Sequence, residues 1–202
     1  MHISEGVLSG PVLVSGIVLA AAGTAIGLKN LDYDRIPQIG ILSASFFVAS
    51  LIHVPIGVSS VHLILNGFVG LILGWGAFPA ILVALTLQAV LFQFGGITAL
   101  GVNTVIMASP AVLCYFLFGR LIIKKPSVAL PAAFAAGALS VFLAGILLGL
   151  ALVFTEKDFF KVSTIVVMAH LPVMAVEGVI TALCVGFLKR VQPSMLPGYL
   201  RS

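Results

Sequence analysis

Apolar residues fill this chain in long blocks, interrupted by glycine, proline and a few charged clusters rather than by regularly spaced polar faces. From Ile36 to Gly119 there are 84 residues without one Asp, Glu, Lys or Arg, against the roughly 20 that one membrane-crossing helix needs. Several helices must share that stretch. Breaks at His53-Val54-Pro55-Ile56-Gly57, at Gly74-Trp75-Gly76-Ala77-Phe78-Pro79 and at Gly95-Gly96 divide it, because glycine and proline end or bend helices. The pattern predicts spans over 8–28, 36–52, 59–73, 78–94, 104–123, 127–154 and 164–188. The expected fold is an all-α integral membrane protein of seven transmembrane helices, with residues 1–202 as one domain.

Composition agrees and charge adds an orientation. The chain is 61% hydrophobic and 8% charged, with a mean hydropathy of +1.27, where soluble domains are roughly 45–50% apolar. Seven spans put the termini on opposite sides. With the N-terminus outside, Lys29, Arg35, Arg120, Lys124, Lys125, Lys189, Arg190 and Arg201 fall on the cytoplasmic side, and only Lys157 and Lys161 on the outer one. Cytoplasmic loops are the ones enriched in Lys and Arg, so this orientation is expected, with the N-terminus facing the exterior or periplasm. The net charge of +4 thus reports topology and does not call for nucleic acid. Cys114 and Cys184 fall in predicted helices, where cysteine acts as a small hydrophobe. Glycine pairs four apart, Gly6/Gly10, Gly23/Gly27, Gly70/Gly74 and Gly145/Gly149, suit close helix packing; Gly40/Ala44 and Ser45/Ala49 on the second span either do the same or present a smooth face to a partner subunit. No internal repeat is evident.

The strongest chemical signal is at the start, Met1-His2. A free α-amine followed by histidine offers the amine, the His2 peptide nitrogen once deprotonated, and the imidazole Nδ1. These close a five- and a six-membered chelate ring, filling three corners of a plane and leaving a fourth for another donor. Planar all-nitrogen ligation suits Ni(II) or Cu(II) better than tetrahedral Zn(II). Such binding releases protons and weakens in acid. The site needs an unprocessed Met1, expected because histidine at position 2 disfavours trimming. A signal peptide is not expected: Ala20-Ala21-Ala22 could be cut, but residues 1–10 hold Glu5 and no Lys or Arg, whereas a signal peptide opens with positive charge.

Other polar residues in the apolar region are candidates for supporting roles. His62 is read as opening the third helix, beside Ser59 and Ser60, which could cap it, with Asn66 at i+4 on the same face able to orient the ring. The alternative is an interfacial histidine without a metal role. His53, before Val54-Pro55, reads better as a turn residue than a ligand. His170 and Glu177, seven apart on the last helix, share a face. They are either a proton or ion relay or hydrogen-bonding partners between helices. Glu5 could accept a hydrogen bond near the amine or cap the first helix. The glycine-rich run Gln93–Asn103 reads as a loop dipping into the outer mouth, ending at Asn103, which could bond a ligand histidine or close the loop on itself. There is no Gly-x-x-x-x-Gly-Lys-Ser/Thr, His-Glu-x-x-His or Gly-x-Ser-x-Gly motif, so neither ATP hydrolysis by a P-loop nor a protease is expected in this chain.

Met1-His2-Ile3-Ser4-Glu5-Gly6-Val7-Leu8-Ser9 resembles the start of the CbiM/NikM family, the substrate-binding membrane subunits of energy-coupling-factor (ECF) transporters for cobalt and nickel. The resemblance continues through His53-Val54-Pro55-Ile56-Gly57, Ser59-Ser60-Val61-His62-Leu63, Gln88-Ala89-Val90-Leu91-Phe92, Gly95 to Asn103 and His170-Leu171-Pro172-Val173-Met174-Ala175-Val176-Glu177-Gly178. It implies a seven-helix subunit in which Met1 and His2 bind the metal at the outer face, His62 is the fourth donor, and the glycine-rich loop covers the site. It also implies partners: a transmembrane coupling subunit, ATP-binding ATPase subunits and, in some members, a small accessory membrane protein. The transported ligand would be Ni(II), with Co(II) possible, and no cofactor is expected. Planar nitrogen geometry and the Irving–Williams order favour nickel over cobalt, though copper binds more tightly still. Ser4, Val7 and Ser59-Ser60-Val61 look nearer the nickel members. Two rivals stand beside this reading. One is a self-sufficient proton-coupled transporter using His170 and Glu177; the other is a metal-binding scaffold or sensor without transport.

Overall fold

The computed structural model describes residues 2–51, 53–56, 59–156 and 159–196, and for 53–56, 59–62 and 126 the backbone only. Its helices are α1 (Gly10–Lys29), α2 (Ile36–Ala49), α3 (Asn66–Leu73), α4 (Ala77–Phe92), α5 (Leu100–Lys124), α6 (Ala129–Thr155), α7 (Phe160–Ala169) and α8 (Leu171–Val191). A short antiparallel hairpin, β1 (His53–Ile56) and β2 (Ser59–His62), lies between α2 and α3. Among the described residues, five helical stretches are long and apolar enough to cross a membrane by length and composition: Gly10–Lys29, Asn66–Phe92, Leu100–Lys124, Ala129–Thr155 and Phe160–Val191. At a rise of about 1.5 Å per residue, α6 alone spans roughly 40 Å.

Local chemistry sets several boundaries. Pro11 stands in the first turn of α1, where a missing N–H costs nothing. Gly74, at φ +54°, ends α3 in a backbone conformation that favours glycine. The carbonyl of Ile72 near the end of α3 accepts a hydrogen bond from Arg35 at 2.7 Å, whereas α4 carries Gln88 up to His2, so the chain reverses at Gly74–Gly76. The apolar stretch Asn66–Phe92 is therefore two antiparallel pieces.

The helices pack through small residues. A side chain on Gly23 would collide with Phe78, one on Gly27 would lie 2.6 Å from the Trp75 carbonyl, and one on Gly70 would collide with the Ala111 backbone. Gly23, Gly27 and Gly70 thus do pack helix on helix, whereas Gly6, Gly10, Gly40 and Gly145 meet nothing within 4 Å among the described residues. The buried core runs through Ile72, Ile81, Met107, Leu148 and Leu152. Outward faces such as Val14, Ile17, Val18 and Leu19 on α1 stay apolar and exposed, as surfaces meeting lipid do.

The bundle has two distinct ends. At one, the Ser9 N–H donates to Thr155 Oγ1 at 3.3 Å and His2 meets Gln88 and, through it, Ser50. At the other, Arg35 bonds Gln38 and Ile72, and Gln38 Nε2 donates to the Met195 carbonyl at 3.4 Å. Lys29, Lys124, Lys189 and Arg190 fill the last turns of α1, α5 and α8.

Several expected elements differ. Residues 59–62 form a strand, not the start of a helix, because they pair with β1 in the register His53↔His62, Val54↔Val61, Pro55↔Ser60 and Ile56↔Ser59. The helix begins only at Asn66, with Leu65 at φ +56° before it and no side-chain cap, so Ser59 and Ser60 do not cap it. The predicted span 104–123 begins earlier, at Leu100, which places Asn103 in the first turn of α5 and not at the end of a loop. The predicted span 164–188 is two helices, with His170 at their junction.

Candidate metal centre

His2 is buried, 4% exposed, although it is the second residue of the chain. Its Nε2 lies 2.6 Å from Gln88 Oε1, and Gln88 is fully buried on α4. The Gln88 amide donates in turn to Ser50 Oγ at 2.5 Å, and Ser50, capping the C-terminus of α2, donates to the Phe47 carbonyl at 2.6 Å. The Phe94 ring stands edge-on to His2, centroids 6.3 Å apart at 90°. The next residue is held as firmly. Ile3 N–H donates to Asn103 Oδ1 at 2.9 Å, and Asn103 Nδ2 donates back to the Ile3 carbonyl at 3.1 Å. One primary amide thus satisfies both polar groups of a buried backbone unit, as a neighbouring strand would.

The turn after α4 wraps over this segment. Gln93, Gly95 and Gly96 have φ of +57°, +79° and +106°, a run that folds the chain back within four residues. A Cβ on Gly95 would lie 2.9 Å from Asn103 Nδ2 and 3.4 Å from His2 Cβ, and one on Gly96 would lie 2.5 Å from Glu5 Oε2. Glycine is needed at both positions for φ and for room. Asn103 and the glycine-rich turn therefore converge on the N-terminal segment. Glu5 sits against Gly96 and does not cap α1, which starts at Gly10 with no acidic residue in its first turn.

The hairpin reaches the same end of the bundle. Ser50 precedes His53 by three residues, a chain reach of at most about 10 Å, and His53 pairs with His62, whose Cα is about 5 Å away in such a pair. The backbone of His62 therefore lies at most about 15 Å from that of Ser50. Met1 and the side chains of His53, Ser60 and His62 lie outside the described residues. Asn66 was expected one helical turn below His62, but with a strand at 59–62 that spacing no longer aligns them. Its amide bonds the Met107 and Ser140 carbonyls at 3.3 and 3.5 Å and accepts from Ser140 Oγ at 2.9 Å, joining α3 to α5 and α6.

Glu177 has a different position from the one its spacing suggests. Its carboxylate accepts from the backbone N–H of Ile64, and from that of Leu65 at 2.9 and 3.0 Å. It pins the left-handed corner between β2 and α3, two residues after His62. His170 Nδ1 lies 2.6 Å from the Val166 carbonyl, and among the described residues its buried Nε2 has no hydrogen-bond partner. The two residues thus have separate partners and no hydrogen bond to one another. Among the described residues no three His, Cys, Asp or Glu gather as a metal-holding cluster.

Gln88 and Ser50 were given no role by sequence reasoning. The available signal was a glutamine in an otherwise apolar helix, a residue that is costly in such a place unless bonded.

The family model described as "Cobalt uptake substrate-specific transmembrane region", CbiM, matches residues 2–195. A protein of Haemophilus influenzae described as a putative metal transport protein is 42% identical over 201 residues, 97% of each chain. A putative fused nickel transport protein NikMN of Archaeoglobus fulgidus is 31% identical over 202 residues, covering 97% of this chain and 68% of that one. Among solved structures, one described as a transition metal transporter superposes with a TM-score of 0.81 at 26% identity, covering 100% of both chains.

Proposed function

The chain belongs to the CbiM family, and from that premise we propose that it is the substrate-binding membrane subunit of an ATP-driven ECF-type transporter that captures Ni(II). The donors are the Met1 amine, the His2 peptide nitrogen, His2 Nδ1 and His62, closing a plane of four nitrogens. The observation that carries this reading is the burial of His2 between Gln88 and the Gly95–Gly96 turn, with Asn103 clamping Ile3 behind it. A terminal segment normally frays. This one is docked by side chains of α4 and α5, as a prebuilt chelator requires. The hairpin brings the His62 backbone towards the same end, and Glu177 fixes the corner that follows it.

Seven passes, with α3 and the hairpin forming the third and α7 with α8 the seventh, put the His2 end outside and the basic helix ends inside, in keeping with the positive-inside rule. The ion is bound at the outer face and handed inward when ATPase and coupling subunits act on the bundle. Nickel is favoured over cobalt by planar nitrogen geometry, and the nickel name of a 31% identical relative supports it. Adding two residues ahead of Met1 turns the amine into an amide, which could bind only after losing a further amide proton, and forces two extra residues into the place of the terminus. Ni(II) binding should then be lost by calorimetry in detergent; undiminished affinity would overturn the N-terminal site.

A further inference from the structure

Chelation by His2 works only through one ring nitrogen. The six-membered ring with the peptide nitrogen closes at Nδ1, so the imidazole must carry its proton on Nε2. In a free neutral histidine the proton can sit on either nitrogen. The structure assigns the choice to Gln88 and Ser50: we propose that they form a directional hydrogen-bond relay that holds His2 as the Nε2–H tautomer before metal arrives. This rests on the N-terminal site described above.

The direction follows from counting protons. The Phe47 carbonyl only accepts, so the 2.6 Å contact from Ser50 Oγ takes that hydroxyl's one proton. Towards Gln88, 2.5 Å away, Ser50 Oγ can then only accept. The amide must turn its NH2 to Ser50 and its oxygen to His2. That oxygen, 2.6 Å from Nε2, accepts a proton and offers none, so Nε2 carries the hydrogen and the ring lone pair lies on Nδ1. Ser50 and Gln88 are both fully buried, so water does not compete for these bonds. Gln88 touches neither the metal nor its donors' lone pairs; it is a positioning residue.

The test separates this role from packing. Gln88→Leu fills the same space without an acceptor, and Gln88→Glu keeps an oxygen that accepts from Nε2–H. If the relay sets the tautomer, Gln88→Leu weakens Ni(II) binding by about 10- to 100-fold, the usual cost of losing such a partner, and Gln88→Glu stays within a few-fold of the parent. A packing role predicts the reverse order. Nitrogen-15 NMR of histidine-labelled, metal-free protein gives an independent readout, with the His2 signals identified by their loss in His2→Asn. The relay predicts a protonated Nε2 and a bare Nδ1 in the parent, and a mixed population in Ser50→Ala, where the amide can turn over. A protonated Nδ1 in the parent, or parent-like nickel affinity in a folded Gln88→Leu, overturns the relay. Failure of the underlying site looks different: nickel affinity then survives residues added before Met1, whatever the tautomer.

Discussion

Replacing Asn103 by Leu tests whether the docked N-terminal segment is what makes the site. Leucine keeps the volume and strengthens helix propensity, so α5 should stand. Lost are the two bonds, at 2.9 and 3.1 Å, to the N–H and carbonyl of Ile3, a residue with no exposed surface. A buried polar group left unpaired costs about 1–3 kcal/mol, so two would cost about 2–6 kcal/mol in a rigid site. The segment lies at the bundle's end and can lift away to reach water, which limits the cost to about 2–3 kcal/mol. Metal binding must then supply the docking energy. At about 1.4 kcal/mol per tenfold, the Ni(II) dissociation constant should rise about 30- to 150-fold. The assay is competition against a chromophoric chelator in detergent, with the melting temperature measured alongside. An Asn103→Leu protein that stays folded and binds nickel within about threefold of the parent would refute the docking argument.

Gly95→Ala places a side chain in the left-handed region and against Asn103 Nδ2, at about 1–2 kcal/mol from backbone conformation alone, so nickel should bind roughly tenfold more weakly in the same competition assay. Glu177→Gln keeps an oxygen for the Ile64 and Leu65 N–H groups and should leave nickel affinity within a few-fold, whereas Glu177→Leu strands both donors and should lower the melting temperature and weaken binding. Nickel uptake by the chain alone in liposomes under a pH gradient, abolished by Glu177→Gln, would instead establish a proton relay. Gly70→Val drives a side chain into the Ala111 backbone and should destabilise the bundle by at least about 1–3 kcal/mol, read as a lower melting temperature in detergent.

The apolar blocks made the helices legible because a membrane segment must satisfy its backbone internally, and Gly74 and Gly95-Gly96 marked real reversals. Ser59–Leu65 read as helix for the opposite reason. A short apolar run fits either a strand or a helix, and what decides it here is pairing with residues 53–56 and the carboxylate of Glu177, 112 residues from Leu65. The pairing of Asn66 with His62 failed with that helix. The sequence offers Asn103 two roles, bonding a ligand histidine or closing the loop on itself, but its observed partner, the Ile3 backbone, lies 100 residues away and no local pattern names it. The proposed chelation by Met1-His2 rests on residue type alone. The burial of His2 and its link through Gln88 to Ser50 depend on how α2, α4 and the N-terminal segment meet.

In the proposed site nickel is held by four nitrogens, three of them from the first two residues. X-ray absorption at the nickel edge, on the Ni(II)-loaded chain beginning at Met1 and on the same chain with two residues added ahead of it, tests this directly. A four-coordinate planar nitrogen environment is expected in the first and only weakly held, oxygen-rich nickel in the second. A six-coordinate or sulfur-containing site in the first, or the same planar spectrum in both, would contradict it.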